Sequence, residues 1–138
     1  MHHQFRSDVG RAHLTWRNTY LHQRLLRIGV PMATDPDVWS GQAPIVFPIC
    51  GGLRNDKAMT KEEDLIRLKR HGFARKMQFE LVDSREDSAT FVLRSDESTL
   101  AQYPFEFELA AEYQVHARTL DVTYRVTNAD EKPMPFFI

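Results

Sequence analysis

Phe105-Glu106-Phe107-Glu108-Leu109-Ala110-Ala111-Glu112-Tyr113-Gln114-Val115, followed after a short break by Leu120-Asp121-Val122-Thr123-Tyr124-Arg125-Val126, decides the fold class. Apolar side chains recur at every second position, the period of a strand whose successive residues face opposite sides of a sheet. Phe, Tyr, Val and Thr dominate both runs, and their branched or aromatic side chains fit a pleated surface. Upstream, Met77, Phe79 and Leu81 alternate with Gln78, Glu80 and Val82, and Ala89-Thr90-Phe91-Val92-Leu93 follows. The polar stretch Asp83-Ser84-Arg85-Glu86-Asp87-Ser88 between them predicts a hairpin. His116 falls at a strand end or turn, and the polar loop Asn128–Pro133 precedes Pro135-Phe136-Phe137-Ile138. Strands at short spacing with turn signals between them predict antiparallel sheets packed face to face, an all-β chain.

Two segments pull the other way. Thr60 and Glu63 have capping-box spacing before good helix formers, whereas Ile66-Arg67-Leu68 can alternate as a strand. Leu14, Leu21, Leu25 and Ile28 share one helical face, so Arg11 to Ile28 fits an amphipathic helix.

The 138 residues, 42% hydrophobic and 27% charged, suffice for one core and not for two domains of ordinary size. A formal net charge of -1 gives no reason to expect a nucleic-acid partner. Residues 1 to 27 are nevertheless basic, with Arg6, Arg11, Arg17, Arg24 and Arg27 against Asp8. A polyanion-binding arm, an Arg-rich presequence and a poorly ordered end all fit that pattern. Cys50 is the single cysteine, which excludes an internal disulfide and a cysteine-based zinc cluster. A reducing compartment such as the cytoplasm fits, and within Ile49-Cys50-Gly51 the thiol reads as a small buried hydrophobe. No stretch is long and apolar enough to span a bilayer, so no membrane partner is expected.

Polar chemistry concentrates in His71-Gly72-Phe73-Ala74-Arg75. A His-Gly pair turns the backbone sharply, and Arg75 offers a planar donor fork for hydroxyl or carboxylate oxygens, which suits a sugar. Competing motifs fail. There is no His-Glu-x-x-His for zinc, Gly51-Gly52 lacks the lysine and hydroxyl of a phosphate loop, and no serine sits in a Gly-x-Ser-x-Gly elbow. Neither metal nor other cofactor is indicated, and His2-His3 reads as incidental.

Trp39, Ala43-Pro44-Ile45-Val46-Phe47-Pro48-Ile49-Cys50-Gly51, His71 to Arg75, Tyr103-Pro104-Phe105-Glu106-Phe107 and Pro133-Met134-Pro135-Phe136 occur in one order. This order resembles the aldose 1-epimerase (galactose mutarotase) family over Asp35 to Ile138, and residues 1–34 do not match it. The expected organisation is therefore a divergent segment over 1–34, helical or disordered, and the N-terminal part of a sandwich domain over 35–138. The resemblance implies the distorted β-sandwich of galactose-mutarotase-like proteins (the supersandwich), incomplete in this chain, with sugars bound on a concave sheet. It also places a strand just before the histidine, which favours a turn and then a strand over Thr60–Leu68.

The resemblance implies a carbohydrate isomerase that interconverts the α and β anomers of a hexose. One group takes the proton from the anomeric hydroxyl while another protonates the ring oxygen, and each well-placed acid or base contributes ~10²- to 10⁴-fold. The family's histidine matching His71 contacts sugar oxygens beside the reacting ring. Its main acid is a second histidine shortly after the "MPF" strand and its base a late glutamate, both expected beyond Ile138, so the chain alone is expected to be weak or inactive. The family's arginine after the glycine that follows "FPI" is Gly52 here, with Arg54 two residues later. His71 is thus the candidate catalytic residue, and Arg75, Arg54, Asn55 and Trp39 are the candidate sugar-binding residues. For Asn55-Asp56 a turn is the first reading, for Arg75 a surface ion pair competes, and for Trp39 and the phenylalanines core burial competes. A non-catalytic carbohydrate-binding sandwich is the alternative function, and exposed sheet edges would permit a homodimer.

Overall fold

The structure, a computed structural model, describes residues 45–117 and 119–137. The expectations for residues 1–34 and for Trp39 lie outside the described residues. Six strands follow in order: β1 (Lys57–Met59), β2 (Leu65–Arg67), β3 (Glu80–Ser84), β4 (Ser88–Arg94), β5 (Phe107–His116) and β6 (Thr119–Asn128). β1 and β2 form an antiparallel ribbon, and the other four make a sheet in the order β3-β4-β5-β6. Every pairing in that sheet is antiparallel. The all-β expectation is met among the described residues.

The opening stretch forms the β5–β6 hairpin, with Phe107 opposite Asn128 and His116 opposite Thr119. Its two-residue alternation sends Phe107, Leu109, Ala111, Tyr113 and Val115 into the core. β4 adds Ala89, Phe91 and Leu93 to the same face, and the residues packing against it are Ile45, Phe47, Ile49, Ile66, Leu68, Phe73, Tyr103 and Phe105. The opposite face is ionic. Arg94 bridges Glu80 and Glu108, each at 2.9 Å, and Arg125 reaches Glu112 at 3.1 Å. These pairs are exposed, and each contributes only about 0 to 1 kcal/mol.

The β3–β4 hairpin forms where the polar stretch predicts it, but with a bulge between Leu81 and Asp83. Met77 and Phe79 pack against the core without joining the strand. Over Thr60–Leu68 the helix loses. Glu63 donates its N–H to the Thr60 carbonyl at 3.2 Å, Asp64 donates to Thr60 Oγ1 at 3.1 Å, and the chain then enters β2. Burying Ile66 and Leu68 on one side needs the two-residue period, and this outweighs the local propensity.

One short helix, α1 (Glu97–Leu100), was not expected. Asp96 caps it by accepting from the Thr99 amide at 2.9 Å, while Thr99 Oγ1 accepts from the Asp96 amide at 2.8 Å. A carboxylate three residues before a hydroxyl was the readable signal. Two burial expectations are corrected. Cys50 is exposed, because the chain leaves the core at the Ile49–Gly51 turn. Phe136 is 40% exposed, although its ring still lies 6.2 Å from that of Phe47. On β6, Leu120 and Val126 are half-buried but Val122 and Tyr124 are exposed, so the apolar face of this edge strand is incompletely covered among the described residues.

Asp96→Ala should cost about 0.5–2 kcal/mol at pH 7, read by urea unfolding. Hydrogen bonds from the Ser98 hydroxyl and the Thr99 amide hold the Asp96 carboxyl below its ordinary value. That stabilisation is present above the unfolded carboxyl's pKa and is lost as pH falls through the lowered folded value, so wild type and variant should converge in acid.

Candidate functional site

Two loops meet at Phe47, the first over residues 45–53 and the second over residues 69–76. Phe47 is fully buried, with ring centroids 5.0 Å from Phe107, 6.1 Å from Phe73 and 6.3 Å from Tyr103. Its carbonyl accepts two N–H bonds from the second loop, from Phe73 at 3.0 Å and Ala74 at 3.2 Å. A parallel bridge joins Phe47 to Gly72. This approach excludes a side chain: a Cβ on Gly72 would lie 2.1 Å from the Phe47 oxygen, and its φ of +66° is left-handed.

The second loop turns where the Gly72 N–H donates to the Lys69 carbonyl at 2.9 Å. His71 is left-handed too, with φ of 68°, a region where histidine is enriched among non-glycine residues. Two bonds compensate for this conformation. The His71 N–H donates to the Gly51 carbonyl at 2.7 Å, and the Gly51 N–H donates to His71 Nδ1 at 3.1 Å. The half-buried imidazole is therefore pinned to the first loop.

Arg75 follows on a 3-10 turn, Ala74–Lys76, anchored by buried Ala74. Its Nη2 donates to the Arg70 carbonyl at 3.3 Å, and its Nε is buried with no hydrogen-bond partner among the described residues. Arg75 thus braces the peptide leading into His71, and among the described residues no carboxylate pairs with it. The structure brings His71 and Arg75 together in one loop.

Arg54 and Asn55 are exposed on a separate 3-10 turn, Arg54–Asp56, where Asn55 has φ of 55°. The turn reading holds for Asn55-Asp56. That turn joins the second loop through Asp56, whose carboxylate accepts from Lys69 Nζ at 2.5 Å. Neither Arg54 nor Asn55 is hydrogen-bonded to His71 among the described residues. Sequence reasoning missed Arg70 and Gly51. Arg70 Nε lies 3.2 Å from His71 Nε2, and its Cγ is 4.0 Å from where a Cβ on Gly52 would sit. The only signal for either was adjacency, in Lys69-Arg70-His71 and Gly51-Gly52.

His116 ends β5, with Nε2 3.4 Å from Asp121 and both side chains exposed. A separate apolar cavity of about 540 Å³ is lined by Leu53, Ile66, Leu68, Tyr103, Pro135 and Phe137 among others, and neither His71 nor Arg75 lines it. Tyr103 donates its hydroxyl to the Pro135 carbonyl at 2.7 Å, and burial pushes its phenol pKa well up, so it serves there as a neutral tether. No helix among the described residues is long and apolar enough to cross a membrane.

A family model described as aldose 1-epimerase matches residues 33–138. The chromosomal and plasmid forms of Protein LacX from Lactococcus lactis subsp. lactis are 44% and 43% identical to this chain over 111 residues. Each match covers 75% of this chain and 36% of the relative, so the chain spans about a third of the length of these curated relatives. The solved galactose mutarotase related enzyme from Lactobacillus acidophilus is similar in fold, with a TM-score of 0.67 at 36% identity over 72% of this chain and 33% of that one. A galactose mutarotase-like protein from Lactobacillus casei ATCC 334 gives 0.68 at 36% identity over 74% and 34%. The strands described above are thus part of a galactose-mutarotase-like β-sandwich.

Proposed function

Because this chain belongs to the aldose 1-epimerase family, we propose that it takes part in interconverting the α and β anomers of a hexose, with the loop over residues 69–76 contributing to the sugar-binding face. The observation that carries this reading is the pinned imidazole. With Nδ1 held by the Gly51 amide at 3.1 Å, Nε2, approached at 3.2 Å only by the exposed Arg70 side chain among the described residues, is the His71 nitrogen a ligand can engage. In this reading His71 lies beside the reacting ring, and the half-buried Arg75 offers its planar guanidinium to a sugar oxygen. Arg54 and Asn55, exposed on the neighbouring turn, would act as peripheral contacts. Trp39 would supply an apolar plate to a sugar face.

Anomer exchange needs an acid and a base placed together. The chain spans about a third of its relatives' length, and the resemblance expects the second histidine and the glutamate in the remainder. The 138-residue chain alone should therefore bind a hexose and exchange its anomers little faster than buffer.

NMR titration with galactose and glucose tests the binding. Saturable shifts are expected, with His71→Ala and Arg75→Ala each weakening affinity about 10- to 100-fold, the size of a lost hydrogen bond that involves a charged group or sugar oxygen. An absence of saturable shifts sinks the sugar reading. Polarimetry on the same samples tests the chemistry: fast exchange abolished by His71→Ala would place the catalytic acid within this chain. Saturable binding with unchanged exchange after the remaining family sequence is joined on would favour the non-catalytic sandwich instead. Light scattering would report self-association through the sheet edges.

A further inference from the structure

We propose that Arg70 is a sugar-binding residue, that its Nε–H and the Nε2–H of His71 hold one hydroxyl oxygen between them, and that the Gly51 amide is the positioning group. This rests on the sugar reading of the same loop. A neutral imidazole has one donor nitrogen and one acceptor nitrogen. Both His71 nitrogens face donors, Nδ1 the Gly51 N–H at 3.1 Å and Nε2 the Arg70 Nε–H at 3.2 Å. Only one of these contacts can be a hydrogen bond at a time.

The Gly51 contact prevails, because it is one half of a reciprocal pair closed by the His71 N–H on the Gly51 carbonyl at 2.7 Å. Losing it would strand a backbone donor, whereas the exposed Arg70 side chain can turn to water. Nδ1 is then the acceptor and Nε2 carries the proton. When Arg70 stands as it does here, Arg70 Nε and His71 Nε2 are two N–H donors side by side, and among the described residues neither has another acceptor. At 3.2 Å apart, both lie within hydrogen-bond reach of a single oxygen placed about 2.9 Å from each. A hydroxyl oxygen has the two lone pairs this requires.

Two further contacts prepare Arg70 for the role. Arg75 Nη2 donates to the Arg70 carbonyl at 3.3 Å and steadies its peptide. Gly52 has no side chain, and Arg70 Cγ is 4.0 Å from where one would begin. The resemblance expects an arginine at position 52, and the stem of Arg70, from the other loop, lies beside that position here.

Long-range ¹H–¹⁵N NMR on the 138-residue chain reads the tautomer directly, with the His71 signals identified by their loss in His71→Asn. An unprotonated Nδ1 and a protonated Nε2 are expected, and a protonated Nδ1 overturns the positioning role of Gly51. Titration with methyl β-galactoside reads Arg70. Arg70→Ala should weaken binding about tenfold and Arg70→Lys less, with the exposed Arg67→Ala as an unchanged control. If Arg70→Ala binds as tightly as wild type while His71→Ala does not, the role of Arg70 is overturned and the sugar reading stands. If the unmutated chain shows no saturable binding, the sugar reading and the role of Arg70 fall together, and the tautomer result still decides the claim about Gly51.

Discussion

The Phe47 carbonyl is the contact on which the arrangement depends. An acceptor with two lone pairs takes both the Phe73 and Ala74 amides, and this holds the second loop against the first at a spacing only glycine permits at position 72. The same residue's ring is fully buried among Phe73, Tyr103 and Phe107. One residue therefore ties loop geometry to core packing. The polar side chains at residues 70, 71 and 75 have their positions set from beneath.

This arrangement separates the two demands on the segment. Rigidity comes from apolar burial and backbone hydrogen bonds, whose partners are Gly51, Phe47 and Lys69. The polar side-chain atoms above that frame are Nε2 of His71 and the guanidinium groups of Arg70 and Arg75, one of which, Arg75 Nη2, also braces the Arg70 carbonyl at 3.3 Å. The buried Arg75 Nε, without a hydrogen-bond partner among the described residues, shows the cost of that division.

Elsewhere, the described residues close some surfaces and leave others open. Lys132 pairs with Asp64 at 2.7 Å and lies 4.8 Å from the centre of the Phe105 ring, clasping the loop after β6 to the turn before β2. Val122 and Tyr124 on β6 remain exposed on the apolar side of the sheet. The bulged, ion-paired β3 is better protected than β6 at the opposite edge.

The β-strands were legible because alternation is a local, repeated signal: Phe107 to Val115 and Leu120 to Val126 declare their faces without help from the rest of the chain. The hairpin turns and the ordered motifs from Phe47 to Phe136 were legible in the same way, and with them the family. Helix α1 was missed because its capping pair, Asp96 and Thr99, is short and polar and has no apolar period around it. Cys50 and Phe136 were misplaced because burial at the end of an apolar run depends on which way the chain turns. The partners of His71 could not be read at all, since Gly51 lies twenty residues away and acts through its backbone. The sequence by itself thus determined strand period, class and the residue types in the site. The tertiary structure decided which nitrogen of His71 is held, that Arg70 faces it and that Arg75 braces it. Those outcomes depend on two loops meeting across one carbonyl, a contact between positions that no local pattern links.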